Sequence, residues 1–283
     1  QIEVEAMRLY SLPEAAPALL CGTPALPVGQ REFAAEVAWD LPSLAPGATS
    51  LLDVTVPGAR QGDIAQAALA SSTRYEWVLV DFAVMCAGAA TTTVYPTTNA
   101  ADVAYIVANS GSRVVVAEDQ GQLDKLLERR AELPDVSKVV LIDGNGDGNW
   151  VIVLAELEQM GKQLLADAPD AVAERVAAIG PDQLASLIYT SGTTGFPKGV
   201  RLTHGAWTYT AAAIDALNIV GPDDLNFLWL PLAHAFGKVM LALPLQIGFP
   251  TAIDGRVERI VDNLADLRPT ILRAAPRISA KAH

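Results

Sequence analysis

From about residue 62 onward, short apolar runs alternate with segments of helical period, and this alternation predicts most of the elements. Residues 64–70 form a strand-like run and Ser71-Ser72-Thr73 offers N-cap hydroxyls. Residues 75–87 are apolar on almost every side, as a helix buried against a sheet must be. The β-branched stretch 91–95 predicts a strand that stops at Pro96; Thr97-Thr98-Asn99 then caps a helix over 101–109, which Gly111 closes. Strands over 113–117 and 138–142 flank a helix over 120–130. The acidic, alanine-rich stretch 156–179 predicts one or two exposed helices leading to a core strand at Ala185. Thr203 is the N-cap expected for a helix over 206–217. An apolar block over 227–237 follows, then a second over 239–245, a strand-like 251–253 and an amphipathic helix over 257–267.

Alternating strands and helices predict an α/β fold of mainly parallel sheets covered by helices, with ligands near the strand C-termini. Prolines at 13, 17, 24, 27, 42, 46 and 57 break up the front of the chain, where only 32–38 reads as a short helix and 51–56 as a short strand. The expected organisation is a front segment (1–60), a first α/β subdomain (61–180) and the start of a second (181–283).

Composition agrees with a buried sheet: 51% of residues are hydrophobic and 18% charged. The net charge of −12, from 20 basic and 32 acidic residues, argues against a nucleic-acid surface, since no basic stripe is available to neutralise phosphates. A polyanionic ligand must then be held locally, by loop amides and single cations. Cys21 and Cys86 have no metal-ligand spacing and suggest no disulfide framework, so a reducing, cytoplasmic setting is expected. The most apolar stretch, 78–90, is interrupted by Asp81 and falls short of the ~20 residues a membrane helix needs. No charged n-region with an apolar core opens the chain, which begins at Gln1 rather than Met.

The candidate chemistry lies at Tyr189-Thr190-Ser191-Gly192-Thr193-Thr194-Gly195-Phe196-Pro197-Lys198-Gly199. Glycines let backbone N–H groups approach an anion, the hydroxyls add donors, and Lys198 supplies a mobile positive charge. The P-loop of nucleoside triphosphatases does not fit: counted from Gly192, Pro197 takes the place of its second glycine and Gly199 that of its magnesium-binding hydroxyl. Asp143-Gly144-Asn145-Gly146-Asp147-Gly148 starts like a calcium loop, but its twelfth position is Leu154 instead of a bidentate acid, so a surface turn is expected.

The 189–199 segment resembles, at every specified position, the Tyr-Thr-Ser-Gly-Thr-Thr-Gly-x-Pro-Lys-Gly signature of the adenylate-forming superfamily of acyl-CoA synthetases, adenylation domains and luciferases. Ser71-Ser72-Thr73-Arg74-Tyr75-Glu76-Trp77, Val94-Tyr95-Pro96-Thr97-Thr98 and Ala104-Tyr105-Ile106 are similar to the block that long-chain acyl-CoA synthetases carry upstream of it. Phe227 through Gly237, with His234 after Leu-Pro-Leu-Ala, resembles a second superfamily signature, and 268–278 resembles the strand and Pro-Arg at the acyl pocket.

The resemblance implies the partial large N-terminal domain of the adenylate-forming fold and activation of a long-chain fatty acid by Mg-ATP to an acyl-adenylate, then transfer to CoA or a carrier-protein thiol. It implies that Thr190, Ser191, Gly192, Thr193, Thr194 and Gly195 hold the β- and γ-phosphates, that Lys198 contacts the γ-phosphate and that Thr190 also touches Mg2+. His234 matches the residue between the nucleotide and the acyl or thiol channel. No Tyr-Gly-x-Thr-Glu segment follows, and the ribose-binding aspartate, the hinge and the small C-terminal domain are expected beyond His283. Two alternatives stand beside the ligase: a catalytically inactive nucleotide- or acyl-binding remnant and a scaffold built on the same fold. Peripheral membrane contact and a homodimer are compatible with either.

Overall fold

The computed structural model describes residues 7–11, 35–37, 66–190 and 196–272. These fall into two compact units, one comprising 66–72, 76–190 and 196–207, the other 7–11, 35–37, 73–75 and 208–272.

The first unit is built on a seven-stranded sheet. Its strands are β3 (Gln66–Ala70), β4 (Ala90–Val94), β5 (Val114–Ala117), β6 (Lys138–Leu141), β7 (Val151–Val153), β8 (Leu184–Thr190) and β9 (Lys198–Thr203), in the order β7-β6-β5-β3-β4-β8-β9. Every neighbouring pair is parallel except β8 and β9, which run antiparallel. Central strands are buried on both faces: Val114–Ala117 is apolar and buried throughout, and Ala90–Val94 is buried at every position with three β-branched threonines at its centre.

Helix α1 (Tyr75–Cys86) is buried along most of its length, including Trp77, Val80 and Val84, which explains its lack of an apolar stripe. Ser72 and Thr73, just before α1, also make tertiary bonds. The Ser72 amide and hydroxyl donate to Glu118 (2.8 and 2.5 Å), and the Thr73 hydroxyl donates to the Leu230 carbonyl.

Helix α2 (Ala100–Ser110) starts as expected, with the Asp102 amide donating to Asn99 Oδ1 at 2.9 Å, and ends at Gly111 with φ of 70°. It packs with α3 (Gln120–Glu128) on one face of the sheet, over a core of Val103, Ile106, Val107, Leu123, Leu126 and Val139. Helices α4 (Leu154–Asp167) and α5 (Ala171–Ala177) occupy the stretch expected to be helical and exposed. Cys86 is buried, which pushes its thiol up to about 11 and keeps it protonated.

The second unit holds a four-stranded sheet of order β10-β11-β1-β2, from β1 (Met7–Ser11), β2 (Ala35–Val37), β10 (Asn226–Leu228) and β11 (Thr251–Ile253). Strands β10, β11 and β1 are parallel; β2 runs antiparallel to β1. The short helix expected over 32–38 is therefore a strand over its last part: Ala35 to Val37 pairs with Leu9 to Met7, and a partner strand overrides a weak local helix preference. Helices α7 (Ala235–Ile247) and α8 (Ile260–Leu267) also lie in this unit.

The core strand expected at Ala185 is β8. Thr91, Thr92 and Thr93 of β4 pair with Ser186, Leu187 and Ile188 of β8, so this segment extends the first sheet. The units divide between 207 and 208, within α6 (His204–Asp215). That helix has its expected N-cap, the Ala206 amide donating to Thr203 Oγ1 at 3.2 Å. The predicted strand at 51–56, Cys21 and the segment 273–278 lie outside the described residues.

Candidate functional site

Strand β8 runs buried from Leu184 to Tyr189 and comes out into solvent at Thr190. After residues 191–197 the chain returns as β9, in a register that sets Tyr189 opposite Gly199 and Thr190 opposite Lys198. Directly opposed residues of an antiparallel pair share a face, so a hydroxyl and an ammonium meet on the terminal rung. Lys198 is exposed and makes no ion pair among the described residues. Ser191, Gly192, Thr193, Thr194 and Gly195, the other predicted phosphate-binding residues, lie outside the described residues. A P-loop passes from strand to helix at its lysine. Lys198 instead opens a strand antiparallel to β8, so topology joins spacing in excluding that motif.

The base of this hairpin is fixed from α2. The Tyr189 hydroxyl donates to Asn109 Oδ1 at 2.7 Å. Burial, with a smaller contribution from Tyr105, pushes the Tyr189 phenol up to about 12, so it stays a donor at any ordinary pH. Its ring lies over Gly199, where a Cβ would come within 3.0 Å of the ring; this close approach is the reason for glycine at the end of the signature. On the returning side, the Phe196 ring stacks on Tyr105 with centroids 5.0 Å apart and 28° between planes.

In open parallel sheets ligands collect where the strand order reverses, and here that point lies between β3 and β5, whose following chains go to opposite sides. Its polar groups are matched internally, since Ser72 and Glu118 bond each other there. The exposed donor pair is at the end of β8 instead.

His234, in the other unit, is not on a strand. The chain leaves β10 through Trp229 to Ala233, and His234 is the N-cap of α7, its Nδ1 accepting from the Phe236 amide at 3.2 Å. An accepting Nδ1 places the neutral ring's proton on Nε2, and the residue is exposed. The turn before it is held tightly. Thr73 donates to the Leu230 carbonyl at 2.7 Å and accepts from the Leu232 amide at 3.3 Å. A Cβ on Gly237 would meet the Pro231 carbonyl oxygen at 2.3 Å, so only glycine permits this closeness. At the end of β11, burial pushes the Asp254 carboxyl up, but hydrogen bonds from the Arg256 side chain and amide and from Asn263 outweigh it and hold it below the usual carboxylate range.

Among the described residues no group of three or more His, Cys, Asp or Glu side chains is placed to hold a metal ion. Thr190 offers one hydroxyl at the hairpin mouth, a donor set that suits magnesium held chiefly by a substrate's phosphates. The calcium-like segment is a turn. Asp147 Oδ1 accepts from the Val151 and Asn149 amides (2.8 and 2.7 Å), which lower its pKa and direct it at backbone. No helix among the described residues is long and apolar enough to cross a membrane.

Sequence reasoning missed Tyr105, Asn109 and Thr73 as supports. For the first two a signal existed: they stand four residues apart on α2, hence on one face. Thr73 is tied to residues far along the chain, and no local pattern reveals such a bond.

Residues 51–281 match the family model described as AMP-binding enzyme. The chain is 28% identical over 228 residues to the long-chain-fatty-acid–CoA ligase FadD15 of Mycobacterium bovis, covering 80% of this chain and 36% of that protein. To the long-chain-fatty-acid–CoA ligase ACSBG2 of Xenopus laevis it is 30% identical over 217 residues, covering 73% of this chain and 29% of that protein. In fold it resembles the crystal structure of a long-chain-fatty-acid-CoA ligase (FadD1) from Archaeoglobus fulgidus, with a TM-score of 0.71 at 17% identity, over 100% of this chain and 50% of that one. The chain thus spans about a third of the length of these curated relatives.

Proposed function

The chain belongs to the AMP-binding enzyme family, and we propose that the whole protein activates a long-chain fatty acid with ATP and passes the acyl group to the thiol of CoA. In the first step a carboxylate oxygen attacks the α-phosphorus, the bond to the bridging oxygen breaks, and pyrophosphate leaves an acyl-adenylate. In the second the thiol attacks the acyl carbonyl, its proton is lost, and AMP departs. The difficulty is repulsion between an anionic nucleophile and a polyphosphate, which positioned cations and donors offset.

The observation that carries this reading is the Thr190–Lys198 rung, an exposed hydroxyl and an exposed ammonium opposed across the mouth of one hairpin. Lys198 contacts the γ-phosphate, and Thr190 with Ser191, Gly192, Thr193, Thr194 and Gly195 takes the β- and γ-phosphates. Magnesium, when bound, would neutralise phosphate charge, and the Thr190 hydroxyl would be a contact for it. His234, exposed at the start of α7 with Nδ1 taken by the Phe236 amide, keeps Nε2 to orient the acyl carbonyl or the entering thiol. Kinship to fatty-acid ligases supports the substrate class.

The test is exchange of labelled pyrophosphate into ATP by the whole protein. Exchange that requires added palmitate or another long-chain acid is expected. Absence of acid-dependent exchange across a panel of chain lengths overturns the reading and leaves the inactive remnant or scaffold.

A further inference from the structure

We propose that one face of helix α2 is the seat that positions the phosphate hairpin, with Tyr105 and Asn109 as its positioning residues; only the identity of the hairpin's ligand rests on the adenylation reading above. Strand β9 is the edge of its sheet, with Lys198, Gly199, Val200 and Arg201 exposed. The terminal rung of such a hairpin among the described residues is the one most prone to fray, because its outer strand is a sheet edge. Yet Thr190 and Lys198 are useful to an anionic ligand only while they stay opposed.

Two contacts hold the two sides of that rung to the same helix face. On the outgoing side, Tyr189, the residue before Thr190, bonds Asn109 through its hydroxyl and covers Gly199 with its ring. On the returning side, Phe196, two residues before Lys198, stacks on Tyr105 although it is itself 70% exposed. A phenyl ring so exposed adds little to the core; its contact with Tyr105 fixes where the returning chain enters the sheet. Tyr105 in turn packs against the core cluster, and α2 is capped at both ends by Asn99 and Gly111. The helix that carries these side chains is thus anchored, while the element they hold is marginal.

The experiment is amide hydrogen exchange on the whole protein, alongside the KM and kcat for ATP, for Tyr105→Ala, Phe196→Ala and Tyr105→Phe. Phe196→Ala sits at an exposed position and keeps the test valid if Tyr105→Ala fails to fold. Both alanine variants are expected to speed exchange at Thr190 and Lys198 about tenfold while the inner rungs of β8 are unchanged. The KM for ATP should rise about tenfold with kcat within about twofold, and Tyr105→Phe, which keeps the stack, should behave as the parent. Unchanged exchange at the rung overturns the proposal whether or not the protein turns over. A raised KM without faster exchange also overturns it, since the rings would then touch nucleotide directly.

Discussion

The hairpin at the end of β8 and the turn that leads into α7 carry the two halves of the proposed chemistry and are built by opposite means. The hairpin is sequence-local: Thr190 and Lys198 are joined by a short loop and registered by their own ladder, and the supports from α2 are side chains that could adjust. The turn before His234 is held by distant chain, with Thr73 bonded to Leu230 and Leu232, and by backbone against backbone at Gly237. The polyanion grip proposed for the hairpin tolerates an adjustable support. The role proposed for His234 needs a fixed one.

Several substitutions would break or sharpen this contrast. The largest effect is expected at the hairpin mouth, where Lys198→Ala should lower acid-dependent pyrophosphate exchange about 10²–10³-fold. Its melting temperature should stay within a degree or so of the parent, because the side chain is exposed on an edge strand.

Next come the two glycines. In Gly237→Ala the new methyl meets a backbone oxygen that cannot yield, and denaturant unfolding should report a loss of about 3 kcal/mol. Gly199→Ala presses on the Tyr189 ring, which can shift, and should cost about 1 kcal/mol. Equal costs would remove the distinction between fixed and adjustable support.

His234→Ala removes the cap acceptor of α7 and should cost about 1 kcal/mol, whereas His234→Asn restores an acceptor and most of that stability. Activity should remain low in both; recovery in the asparagine variant would reduce the imidazole to a cap.

The smallest effects are in pH dependence, and they have opposite signs in the two regions. The folded-state pKa of Tyr189 is raised from about 10 to about 12, so its contribution is complete below pH ~10 and is lost as pH rises through 12. Asp254 is depressed, so its contribution is present above the ordinary carboxylate range and is lost as pH falls through its folded value. Tyr189→Phe should flatten the alkaline limb of a stability–pH curve and Asp254→Asn the acid limb.

Most of the first sheet was legible because its strands are runs of Val, Ala and Thr bounded by caps and glycines, where local preference and tertiary demand agree. The misses fall where they disagree. Strand β9, Lys-Gly-Val-Arg-Leu-Thr, has little apolar signal because it is an exposed edge, and β7 is too short for any period to register. Helix α7 is apolar on most sides and carries Pro244, so neither a stripe nor an uninterrupted run marked it. The residues of the rung were legible in the signature but their pairing was not, because it depends on the unrecognised β9; the cap role of His234 likewise depended on a helix that the apolar block concealed.

The order β10-β11-β1-β2 has a consequence for the making of the protein. Tyr10 pairs with Ala252, so β1 is synthesised about 240 residues before its parallel partner exists. At the usual pace of about 5–20 residues per second, the ribosome leaves that strand waiting on the order of ten seconds or more. The hairpin of β8 and β9, by contrast, has both strands within a few residues of each other. The unit holding His234 is therefore the later of the two to close, and a chaperone that shields an unpaired strand would meet its nascent form at β1.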